Sequence, residues 1–145
     1  MNFWPNAEKK SNGKAKVNNV VLDASAALAV LKREPGDDLV KSHLPGGLIS
    51  AVNFAEVVGK LADIGLKQAE IHVAITALGL DVVPFDAQSA FLTGMLRRAT
   101  QKKGLSLGDR ACLALAKERN VIAVTADRNW ADLDIGVGIR LIRGR

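Results

Sequence analysis

Two stretches of the chain are apolar without alternation, Val20-Val21-Leu22 and Val121-Ile122-Ala123-Val124-Thr125, and an aspartate follows each within two positions, Asp23 and Asp127. Unbroken runs of this length suit strands buried on both faces of a parallel sheet. The intervening chain reads as helices and shorter strands in alternation. Ala24 to Lys32 (ASAALAVLK) has the alanine and leucine content of a helix that stops before Pro35. A short helix is predicted over Asp37 to Leu44, ended by Pro45-Gly46-Gly47, with Leu48 and Ile49 opening the next strand. Ser50 suits an N-cap for a helix to about Ile64, whose Phe54, Val57, Val58, Leu61 and Ile64 share one face; Gly65 closes it. Lys67 to Leu78 is amphipathic, DVVPF from Asp81 is strand-like, and Asp86 can cap a helix from Ala87 to about Arg98. Ser106 starts a helix through Arg119, and Gly138 to Ile142 alternates as an edge strand does. This alternation predicts an α/β fold, a three-layer α/β/α sandwich of about five mostly parallel strands.

Residues 1–18 are polar, contain Pro5 and Gly13, and show no periodicity, so a disordered or loosely attached N-terminal arm is expected ahead of a domain over 19–145. At 145 residues and 48% hydrophobic content, one domain can bury its core without staples. The lone Cys112 excludes an intrachain disulfide and reads as a buried small hydrophobe, which suits a reducing cytoplasm. No signal-type apolar region and no membrane-length apolar run is visible, so a soluble, cytoplasmic protein is expected, with no membrane partner. The net charge of +5 resides in the ends: Lys9, Lys10, Lys14 and Lys16 in the arm, and Arg140, Arg143 and Arg145 at the other terminus. A local cluster, Arg97, Arg98, Lys102 and Lys103, precedes the Ser106 helix. It reads either as a polyanion contact or as cations favoured at a helix C-terminus.

GxGxxG and GxxxxGK[ST] are both missing, so neither a dinucleotide nor a P-loop site is signalled. His43 and His72 lack metal-ligand partners nearby in sequence and are expected at the surface. Candidate chemistry therefore rests on four carboxylates: Asp23, Glu56, Asp109 and Asp127. Each follows a strand-like run or opens the next helix, and a parallel sheet gathers both kinds of end along one edge. Two unit charges about 4 Å apart repel by roughly 4 kcal/mol at an effective dielectric near 20, so such a cluster calls for a cation, most naturally Mg²⁺.

Every one of the four also has a plain structural reading. Asp23 and Ser25 both suit the cap of the following helix. Glu56 lies four residues before Lys60, the favourable orientation for a surface pair, on a polar line with Asn53 and Asp63. Asp109 completes a capping box with Ser106, although the apolar ACLALA that follows predicts a buried helix with its first turn at a cleft. Asp127 can be a turn residue, with Thr125 placed to orient it. Asp86, Asp132 and Asp134 are left outside the site: the first caps a helix, and the other two follow no buried strand.

The series VLDASAALAVL, SAVNFAEVVGKL, LSLGDRACLALA, TADRNW and GVGIRLIR resembles the PIN-domain ribonucleases of the VapC-type toxin group, over residue 19 to the end. The resemblance implies a Mg²⁺- or Mn²⁺-dependent endoribonuclease whose products carry 5′-phosphate and 3′-hydroxyl ends. It implies a cognate VapB-like antitoxin whose tail occupies the active-site groove, and a homodimer. Asp23, Glu56, Asp109 and Asp127 would form the acidic, metal-binding site; Ser25, Asn53 and Thr125 would be its polar support. Arg97, Arg98, Lys102, Lys103 and Arg110 are the candidates for RNA phosphate contacts. The non-catalytic alternative is an RNA-binding or protein-interaction module on the same fold. A haloacid-dehalogenase or receiver-type phosphoryl-transfer domain fits less well, because Asp23-Ala24-Ser25 lacks the second aspartate of DxD and no lysine follows a later strand in the expected setting.

Overall fold

A computed structural model describes residues 19–144. The expected N-terminal arm, 1–18, lies outside the described residues. Five short strands form one parallel sheet: β1 (Val21–Leu22), β2 (Leu48–Ser50), β3 (Asp81–Val83), β4 (Ala123–Thr125) and β5 (Ile139–Leu141), in the order β3-β2-β1-β4-β5. Val21 pairs with Leu48 on one side and Ala123 on the other, Ser50 with Val83, and Thr125 with Leu141. β1, β2 and β4 are buried along their whole length, as their unbroken apolar runs require. β5, at the edge, alternates as predicted.

The helices are α1 (Ala24–Leu31), α2 (Asp37–His43), α3 (Ala51–Asp63), α4 (Gln68–Leu78), α5 (Ala87–Met95), α6 (Arg97–Thr100) and α7 (Leu107–Arg119). Successive side chains of a strand point to opposite faces. Accordingly Leu22 joins Ala26, Ala29 and Val40 of α1 and α2, while Val21 joins Cys112, Leu113 and Ala116 of α7 with Trp130. Ile49 packs with Val57 and Leu61 of α3 and with Ile71 and Leu78 of α4. The predicted three layers are present, and every strand pair is parallel.

β1 and β3 are shorter than the sequence reading, starting at Val21 and ending at Val83, and two further boundaries differ for identifiable reasons. The helix predicted from Ala87 to about Arg98 breaks after Met95 into α6 and a 3-10 turn at Gln101–Lys103. The Thr93 hydroxyl donates to Ser89 O and that of Thr100 to Leu96 O, back-bonding that bends helices, and Gly94 adds none of the propensity that would resist it. β4 begins at Ala123 rather than Val121, because Asn120 ends α7 in the left-handed conformation and Val121 N still bonds Ala116 O.

The chain runs outward from β1 through β2 to β3, then crosses back to β4 on the far side of β1. The direction of winding reverses between β1 and β4, and open parallel sheets bind ligands beyond the strand ends at such a point.

Candidate active site

Asp23 leaves β1 at that reversal, backbone-extended, and is 4% exposed. Its Oδ2 accepts two hydroxyl hydrogen bonds, from Ser25 Oγ at 2.7 Å and from Thr125 Oγ1 at 2.9 Å. Ser25 Oγ in turn accepts from Ala126 N, and Thr125 Oγ1 accepts from Asp127 N. The end of β1 is thereby sewn to the end of β4 through three side chains, and one oxygen of Asp23 is fixed in place. Burial raises the Asp23 pKa above the ordinary carboxylate value; the two hydroxyls pull it back, and the Asp109 charge raises it further.

Asp109 forms the capping box with Ser106 that the sequence predicts, its Oδ2 accepting from Ser106 N and its own N–H donating to Ser106 Oγ. α7 behind it is buried from Ala111 to Ala116, so this half-buried carboxylate stands at the front of a core helix. Asp109 thus caps α7, and its charge also raises the pKa of Asp23 and Glu56.

Glu56 is not the partner of Lys60 in a salt bridge among the described residues, although Lys60 lowers its pKa. Its carboxylate instead rests against Gly108, in the first turn of α7. Although the residue as a whole is exposed, this end is partly desolvated. That desolvation, then the charges of Asp23 and Asp109, raises its pKa. Asn53, one turn earlier on α3, is wholly buried and donates from Nδ2 to Gly108 O at 2.9 Å.

The Asp109 charge therefore raises the pKa of both Asp23 and Glu56, and the Asp23 charge raises that of Glu56. Asp127 is tied to them through Thr125 but is not among the charges that shift Asp23 or Glu56. Its Oδ1 caps the 3-10 turn Arg128–Trp130 by accepting from Asn129 N, the turn role that the sequence also allowed. Among the described residues no three His, Cys, Asp or Glu groups are gathered closely enough to cage an ion as they stand, and none of the salt bridges reaches Asp23, Glu56 or Asp109. As a donor set they suit a hard divalent cation: all oxygen, threefold negative, with Asp23 already oriented by hydroxyls.

Of the basic candidates, Arg97, Arg98 and Lys102 are exposed just before α7. Lys103 is bound to Asp132 in a salt bridge, and its carbonyl accepts from Asn129 Nδ2. Arg110 is a correction to the expected set. It is 8% exposed, donates to Thr93 O, and buries its Nε, because its place on α7 faces α5 rather than solvent. The other outlying aspartates behave as expected: Asp86 caps α5 through Ser89 N, and Asp134 is exposed. His43 and His72 are half-buried rather than fully at the surface.

Residues 20–136 match the profile of the PIN domain. The chain belongs to the PIN domain family. Among solved structures, this PIN domain resembles VapBC2 from Rickettsia felis bound to a promoter DNA fragment, with a TM-score of 0.67 at 17% identity over 85% of this chain and 98% of that one. It resembles DNA-bound VapBC from Salmonella typhimurium with a TM-score of 0.66 at 19% identity, over 87% and 99% of the two chains. It also resembles VapC20 from Mycobacterium tuberculosis, a sarcin-ricin-loop-cleaving toxin, with a TM-score of 0.63 at 15% identity over 82% and 98%. At these identities the likeness establishes a common fold. No curated protein sequence matches the chain.

The hydroxyl stitch across β1 and β4 is directly testable. Thr125→Val keeps the shape of the side chain but removes the donor to a buried carboxylate and the acceptor for Asp127 N. It is expected to lower stability at neutral pH by about 1.5–3 kcal/mol, the range for hydrogen bonds to charged groups, in urea unfolding. Unchanged stability would show that the network carries no weight.

Proposed function

We propose that this PIN domain is the toxin of a toxin–antitoxin pair and cleaves RNA phosphodiester bonds, with a divalent ion held by Asp23, Glu56 and Asp109 and assisted by Asp127. The observation that carries the reading is that carboxylates from three distant segments come within electrostatic reach, Asp109 acting on Asp23 and Glu56 and Asp23 on Glu56, with Glu56 lying against Gly108 beside Asp109 in the chain and no salt bridge to offset them among the described residues. A hard ion such as Mg²⁺ or Mn²⁺, when bound, acidifies a water and neutralises charge on the phosphoryl oxygens. Ser25 and Thr125 hold the Asp23 carboxylate, the capping box holds Asp109, and Arg97, Arg98 and Lys102, exposed just ahead of α7 in the chain, offer cations to RNA phosphates. The likeness to VapBC proteins supports a VapB-like antitoxin and, more distantly, a homodimer as partners. No described helix is long and apolar enough to cross a membrane.

The test is to sequence RNA ends from cells expressing the wild type and Asp109→Asn. New ends confined to the wild type are expected, and identical end profiles would remove the nuclease reading.

A further inference from the structure

Gly108 sits in the first turn of α7, in a helix otherwise rich in Ala and Leu, where helix propensity favours almost any other residue. Its backbone is not in the left-handed region, so conformation does not demand glycine. Space does. A Cβ at this position would stand 2.7 Å from Glu56 Cδ and 3.2 Å from Oε2, with Oε1 closer still. The same residue is gripped from the same helix one turn earlier, where the buried Asn53 amide donates to Gly108 O.

We infer that Gly108 is a positioning residue for the metal site, its bare Cα forming the seat on which the Glu56 carboxylate is held next to Asp109 while Asn53 fixes the distance between α3 and α7. The inference rests on the functional reading given above. What a methyl group would meet is the far end of a flexible side chain, not backbone. An alanine therefore leaves the packing of α7 intact and moves the carboxylate, separating the site from the fold.

Gly108→Ala is expected to unfold at the wild-type urea midpoint or above it, and to lose about ten- to a hundredfold in Mn²⁺ affinity by calorimetry, the range seen when a ligand's support is removed. A crystal structure of the variant should show Glu56 displaced. Glu56→Ala/Gly108→Ala should bind Mn²⁺ no more weakly than Glu56→Ala alone, because the glycine acts only through the carboxylate. Wild-type Mn²⁺ affinity in Gly108→Ala, or a further loss in the double variant, overturns the inference. The two readings fail separately. Wild-type RNA cleavage with Mn²⁺ affinity unchanged in Gly108→Ala removes the seat and keeps the nuclease; the expected Mn²⁺ losses in a protein that cleaves no RNA keep the seat and remove the nuclease.

Discussion

Asp23→Asn is expected to lower the proposed Mg²⁺-dependent cleavage of a labelled structured RNA by at least about a hundredfold, the scale on which a single charge-stabilising group acts in other active sites. Asp23 is the most buried of the acidic groups and the one whose oxygen is fixed by two hydroxyls, so no neighbour can substitute for it. The same substitution has an opposite effect on the metal-free fold. The folded-state pKa of Asp23 is raised, so the native protein holds the proton more tightly than the unfolded chain does. Stability therefore falls as pH rises from the ordinary carboxylate value through the raised one, and stays at the lower level above it. Asparagine cannot ionise, and its amide oxygen still accepts from Ser25 and Thr125. The variant should be more stable than the wild type at neutral pH without metal, and should lose the part of the acid-side slope that Asp23 supplies. Glu56 contributes a residual slope of the same sign. Urea unfolding of both proteins from mild acid to neutral pH measures this. A variant less stable than the wild type at neutral pH, or one that still cleaves, would contradict the role assigned to Asp23.

Trp130→Ala should give the largest stability loss of any single truncation here. Among the described residues Trp130 is the largest wholly buried side chain, and it packs with Leu113, Ile135 and Val137 in the cluster behind α7. Truncating a buried Trp costs about 3–5 kcal/mol through lost transfer energy and the cavity left behind. Its indole Nε1 is buried without an acceptor, so removing that unsatisfied donor pulls the expected value toward the low end of the range. Trp130 N also bonds Asp127 O, so the ring anchors the turn that presents Asp127. Trp130→Phe should recover most of the stability. A loss under about 1.5 kcal/mol for Trp130→Ala in urea unfolding would mean that the cluster collapses around the gap.

The layer order and most helix limits were legible because they follow from local chemistry. Unbroken apolar runs placed β1 and β4 centrally, Ser50, Asp86 and Ser106 each cap the helix they precede, and Gly65 and the Pro45-Gly46-Gly47 breaker fall between elements. The break after Met95 was not legible, because it arises from threonine hydroxyls turned back onto carbonyls, which composition does not reveal. Asp23 and Asp109 were legible as candidates from position alone. Glu56 looked like half of a surface pair with Lys60, and only the packing of α3 on α7 turns it toward Gly108. Arg110 misled for the converse reason: a cation beside an acidic motif suggests phosphate, whereas the helical angle sends it to Thr93 O. The signal overlooked was Gly108 itself, a residue that weakens the helix in which it stands.

The bond from Thr125 to Asp23 joins residues 102 positions apart. Ser25 is a local partner, but a ribosome adding about 5–20 residues per second must reach β4, and β4 must slot beside β1, before the carboxylate acquires its second donor. On the proposed function, a chain halted before that strand would lack the bond that fixes the Asp23 oxygen, and activity would wait until β4 has emerged and paired.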